Sequence, residues 1–67
     1  MIKNEIGTNA GRICNYMDSN GECAMETLKK KIKLKDVDLY LALGWLAREN
    51  KIAFYNKENV WIVFQVY

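Results

Sequence analysis

Apolar residues along this chain recur at every third or fourth position as far as residue 50 and at alternate positions after it, a change from a helical to a strand period. The strongest helical stretch covers residues 36–50, where Leu39, Ala42, Leu43 and Leu46 follow the i, i+3, i+4, i+7 spacing of a core-facing stripe. The opposite side of that helix holds Val37, Leu41, Gly44 and Arg48, with Tyr40 and Trp45 on its flanks. It is apolar where a solvated helix is normally charged, so a second cover is expected, from elsewhere in the chain, from another molecule, or from both.

Two shorter helices are predicted ahead of it. Residues 4–19 put Ile2, Ile6, Ala10, Ile13 and Met17 on one stripe with Cys14 at its edge, leave Thr8, Arg12 and Asn15 facing outward, and position Asn4 as the cap. Gly7 and Gly11 each cost a helix interior about 1 kcal/mol relative to alanine, which implies that another backbone or a large ring comes close there, or that the first turn frays. After the turn signal Asn20-Gly21, the residues Glu22, Cys23 and Ala24 read as a short strand. Residues 25–33 read as the second helix, with Met25, Leu28 and Ile32 inward and Glu26, Lys29, Lys30 and Lys33 outward. Ala24 stands where Ser or Thr would cap that helix, so its start is weakly held. The corner at 32–35 is short enough for a helix-turn-helix pair, and Asp36 and Asp38 favour the positive end of the third helix.

The alternating part of the chain predicts a strand over 51–55, a turn over 56–59 and a returning strand over 60–67. Val60, Ile62, Phe64 and Val66 share one face of the last strand, while Trp61, Val63 and Tyr67 make the other nearly as apolar. A bare strand of this kind aggregates, so both faces are expected to be covered. The order of parts predicts an α+β fold: one winged helix-turn-helix domain over 1–67, three helices with a small antiparallel sheet formed by the short strand and a C-terminal wing hairpin.

Size sharpens the question of the second cover. A chain of 67 residues buries only about 60% of its unfolded surface, so disulfides, a metal or self-association usually support it. The two cysteines, Cys14 and Cys23, occur without a signal-peptide-like start or an apolar run long enough to span a bilayer, which predicts a reducing, cytoplasmic setting and no membrane partner. Cys14 is expected in the core. With no histidine, and two thiols eight residues apart, no zinc site or other cofactor is expected. Self-association remains as the support, in keeping with 51% hydrophobic residues, and a homodimer is the expected state.

The stretch Gly7-Thr8-Asn9-Ala10-Gly11-Arg12-Ile13, the lysine-rich second helix and above all Leu41-Ala42-Leu43-Gly44-Trp45-Leu46-Ala47-Arg48-Glu49-Asn50-Lys51-Ile52 resemble a poorly characterised family of small stand-alone bacterial winged helix-turn-helix proteins. The resemblance covers nearly the whole chain. It departs from the family pattern at Cys14, where a large aromatic is usual, and at Ala24 and Lys35, where Ser or Thr caps are usual. What it implies is the fold and a homodimer; it brings no DNA site or substrate.

Chemistry narrows the function classes further. With no histidine, a single serine (Ser19) at a helix end, and neither a Gly-rich phosphate loop nor a metal-ligand motif, no catalytic residue or small-molecule substrate is expected; Asp36 and Asp38 are explained more simply by the helix start. The net charge of +2 decides little, but Lys29, Lys30, Lys31, Lys33 and Lys35 form a run without an acid. Such a run either neutralises phosphates or simply favours the negative end of the second helix. The candidate phosphate contacts are Lys29, Lys30, Lys33, Lys35 and, on the wing, Lys57, with Glu58 nearly cancelling the last.

The third helix argues against reading bases. Direct readout uses Arg, Lys, Asn, Gln, Ser or Thr, and none occurs between Asp36 and Ala47. The expected function is therefore a non-enzymatic, DNA-associated, transcription-related module that binds phosphates weakly and with little sequence preference. The alternative is a homodimeric protein-interaction module that uses Val37, Tyr40, Leu41, Trp45, Trp61, Val63 and Tyr67. Against that alternative, Trp45 and Trp61 could simply pack on each other under the wing.

Overall fold

The computed structural model describes the backbone of residues 2–66 and the side chains of residues 5–66. Its elements follow in the order α1 (Ile2–Asn20), β1 (Cys23–Ala24), α2 (Met25–Ile32), α3 (Asp36–Arg48), β2 (Ile52–Lys57) and β3 (Val60–Gln65). This is a winged helix-turn-helix: three helices packed on one side of a three-stranded antiparallel sheet.

Helix α1 begins before its expected cap, so Asn4 lies inside it. It ends where Gly21 takes a left-handed φ of 73° and donates its N–H to the Met17 carbonyl at 2.7 Å, a conformation that glycine adopts without the Cβ penalty. Ala10, Ile13 and Met17 form its buried stripe, with Cys14 half-buried at the edge. The expected places of Ile2 and Tyr67 lie outside the described side chains.

Helix α2 has no side-chain cap at Ala24, and α3 has none at Lys35. The corner between them turns on Lys33, which adopts φ 60° and ψ 41° while its N–H reaches the Lys29 carbonyl at 3.0 Å. One more hydrogen bond fixes the corner from outside. Arg12, expected to face solvent, donates from Nη2 to the Ile32 carbonyl at 2.6 Å and so satisfies an orphan acceptor at the end of α2 from a residue on α1. Arg12→Ala is expected to cost about 1–2 kcal/mol, since bonds from charged donors are the stronger class. A urea midpoint that does not fall would remove this cap from the account.

The sheet order is β1-β3-β2, with Cys23 opposite Val63 and Phe54 opposite the same valine on the other side. The wing turns tightly: β2 and β3 are joined by Glu58 and Asn59 alone, both at positive φ, the two-residue loop whose twist matches the strands. The expected turn at 56–59 is thus shorter, because Asn56 and Lys57 still pair in the ladder with Trp61 and Val60.

The core gathers Leu28 and Ile32 of α2, the Leu39, Ala42, Leu43 and Leu46 stripe of α3, the α1 stripe, Ile52 and Val63. Val63 therefore has to be corrected. It was expected among the residues of a dimer or partner surface, but it is fully buried, because the face of β3 shared by Trp61, Val63 and Gln65 is the one turned to the helices. The other face holds Ile62 and Phe64, half-buried, with the Tyr55 ring 5.7 Å from that of Phe64. Side-chain ties close the edges: Tyr55 Oη donates to Glu22 Oε2 at 2.7 Å, and Gln65 Nε2 to Asp18 Oδ1 at 2.8 Å. The bond to Glu22 also raises the Tyr55 pKa, since it favours the protonated phenol.

Candidate functional site

The helix-turn-helix corner concentrates positive charge because it joins a lysine-rich last turn of α2 to a linker that holds two more lysines. Lys30, Lys31, Lys33 and Lys35 are all exposed there. Lys29 differs. Its Nζ lies 2.6 Å from Asp36 Oδ1, across the corner, and this is the one salt bridge among the described residues. The bond and charge of Asp36 hold the Lys29 pKa above its usual value, so the ammonium persists but its field is met by a carboxylate. Of the expected phosphate contacts, the structure leaves Lys30, Lys33 and Lys35 open together on this corner, adds Lys31, and ties Lys29 down. Lys57 stands on a separate element at the end of β2, exposed beside Glu58.

Helix α3 presents the face that winged helices normally offer to a partner. Val37 is 67% exposed, and Leu41 and Trp45 are also exposed, so the stripe opposite the core is apolar and unoccupied by any described residue of this chain. Two clefts border it. On the Tyr40 flank, a cleft of about 320 Å³ lies between Met25 and Glu26 at the start of α2, Tyr40, and Asn59, Val60 and Trp61 of the wing. On the Trp45 flank, a second of about 300 Å³ is lined by Gly7, Gly11 and Cys14 of α1, Trp45, and Lys51.

These clefts correct two expectations. Trp45 and Trp61 do not pack on each other, since they line different clefts on opposite sides of α3. A Cβ added at Gly7 or Gly11 would meet nothing within 4 Å, so no ring or backbone among the described residues needs those glycines. Glu26 in the Tyr40 cleft was read only as part of a polar helix face; neither its spacing nor its neighbours in sequence signal that the wing returns beside it.

Other chemistry is sparse. Burial, followed by the charge of Glu22, pushes the Cys23 thiol pKa up, away from nucleophilic reactivity. Both cysteines are free, and among the described residues no group of three or more His, Cys, Asp or Glu side chains could hold a metal ion. No helix of the described residues is long and apolar enough to cross a membrane.

The fold and the sequence both have known relatives. The solution NMR structure of protein BT2368 from Bacteroides thetaiotaomicron superposes with a TM-score of 0.84 at 31% identity, covering 97% of this chain and 79% of that one. Uncharacterized protein MJ1608 of the archaeon Methanocaldococcus jannaschii is 29% identical over 62 residues, which span 88% of this chain and 87% of its own. The relatives therefore include an archaeal protein as well as a bacterial one. Residues 1–65 match the family model described as Winged helix-turn-helix domain (DUF2582), and the chain belongs to that family of DNA-binding-type folds.

Proposed function

We propose that this domain is a non-enzymatic, DNA-associated module that grips phosphates through the α2–α3 corner and the wing, weakly and with little preference for sequence. The observation that carries the reading is the exposure of Lys30, Lys31, Lys33 and Lys35 around one corner, with the nearby Asp36 already engaged by Lys29. Phosphate contacts of this type give affinity and register without base information. Specific readout finds little support, because the outer positions of α3 before its last turn hold Val37, Leu41 and Gly44, whose side chains offer no donor or acceptor to base edges, and the one guanidinium, that of Arg48, stands at the far end of the helix. The test is an amide chemical-shift titration with a short mixed-sequence duplex at low and then moderate salt. Salt-reversible shifts at residues 29–35 and in the wing are expected; no movement at low salt would overturn the reading.

A second reading has its own observation. The exposed apolar stripe of α3, with Val37, Leu41 and Trp45, fits a homodimer interface, with Tyr40 and Trp61 at its margin. Its residues are not those of the lysine corner, so the two readings call on different side chains. Because Leu41 faces outward, Leu41→Asp is expected to keep helical circular dichroism unchanged while converting a dimer to a monomer in sedimentation. A wild-type monomer, or a variant still dimeric, would remove α3 from any self-association.

A further inference from the structure

We infer that the cleft on the Tyr40 flank is a binding site for an organic cation, a guanidinium or alkylammonium group on a short aliphatic stem. The proposal does not depend on the phosphate reading, which uses other residues and the opposite sign of charge.

Three observations converge on it. Tyr40 and Trp61 are more than half exposed and line the same cleft, 53% and 54%, yet they are not in ring contact with each other; the aromatic pair found among the described residues is Tyr55 with Phe64. The space between them is therefore open to a guest. Secondly, Glu26 contributes the one formal charge in the lining, and it has no salt-bridge partner among the described residues, since Lys29, three residues on, is held by Asp36. Thirdly, no Lys or Arg is among the lining residues, and the Lys29 ammonium, whose field reaches Glu26 and Tyr40, is paired with Asp36, so a guest cation would meet a carboxylate and two aromatic side chains. The volume of about 320 Å³ accommodates a head group together with part of its aliphatic stem, for which Met25 and Val60 supply apolar wall.

The fold explains why these residues meet. Trp61 lies on the helix-facing side of β3 but two ladder pairs beyond Val63, past the edge of the core. The tight Glu58–Asn59 turn carries the wing tip back toward the first turn of α2, which brings Glu26 beside it.

The test uses the two indole N–H resonances. Titration of the labelled protein with acetyl-arginine amide at constant ionic strength is expected to move the Trp61 signal in a saturable way and to leave Trp45, in the other cleft, unmoved. Acetyl-citrulline amide, the neutral isostere, is the control and should bind at least about fivefold more weakly, as should arginine amide to Glu26→Gln or Trp61→Leu, within the range of an exposed cation–π contact and one carboxylate. Ethylguanidinium separates the two sources of such a group: binding as tight as that of a blocked arginine tripeptide assigns the cleft to the head group alone, as in a free cation, and tighter binding of the tripeptide assigns it to a peptide-borne side chain. Equal binding of citrulline and arginine amides would reduce the cleft to an apolar slot and overturn the cation. Folding of each variant is read from the amide spectrum, and Glu26→Asp should restore part of the lost affinity.

Discussion

Leu39→Ala is expected to remove most of the stability of this domain, whereas Val37→Ala, two residues away on the same helix, changes it by no more than about 0.5 kcal/mol. Leu39 is fully buried among α1, α2 and the sheet, and Val37 is 67% exposed on the opposite face. Truncating a buried leucine costs about 2–5 kcal/mol, from lost transfer free energy and from the cavity left behind. A single core of this size supplies only about 3–5 kcal/mol in all, so the two quantities are comparable and the variant is left near its unfolding midpoint. Urea titrations followed by circular dichroism measure both. The contrast between the variants matters more than either value. Similar losses would mean that both faces of α3 are packed in the protein as it exists in solution, which would point to a partner already seated on the outer face.

That two-faced helix also shows what was legible in the sequence. The i, i+3, i+4, i+7 spacing marked Leu39, Ala42, Leu43 and Leu46 as core because only one set of positions on α3 is uniformly aliphatic. The same logic failed on β3. Its two faces are almost equally apolar, so alternation located the strand but not the side that turns inward, and Val63 was placed on a partner surface. Parity is decided by pairing with β1 and β2, which is a long-range fact. The wing turn was misplaced for a related reason. A two-residue turn with positive φ at both positions usually advertises itself as Asn-Gly or Asp-Gly, and Glu58-Asn59 carries half of that signal.

Charged residues were the least legible, because their partners lie far away in sequence or across a corner. Arg12 finds an acceptor 20 residues on, and Glu26 comes to lie beside a wing formed more than 30 residues later, while periodicity reports only the face each occupies. Lys29 and Asp36 are seven residues apart on different helices, a separation that no helical pair rule covers. As a result a run of five lysines reads as uniform in the sequence and is not uniform in space.

That difference yields the sharpest test of phosphate binding. Reversing Lys30 and Lys33 to Glu changes the net charge from +2 to −2 and is expected to lower affinity for a duplex by at least about tenfold at low salt, because each lysine on a phosphate releases a counterion and each glutamate adds repulsion. With four open lysines in contact, log K should fall with log salt at a slope of roughly −3.6; with two remaining, at roughly −1.8. The electrostatically silent pair supplies the control. Lys29→Gln together with Asp36→Asn removes one charge of each sign from a bridge already closed, so affinity should stay within about twofold and the slope should not change. Fluorescence anisotropy with a labelled duplex across a salt series reads all three proteins. If the reversed protein keeps the wild-type slope, the corner does not touch phosphate. If the neutralised pair loses as much as the reversal, Lys29 is itself a contact, and its bridge to Asp36 opens on DNA.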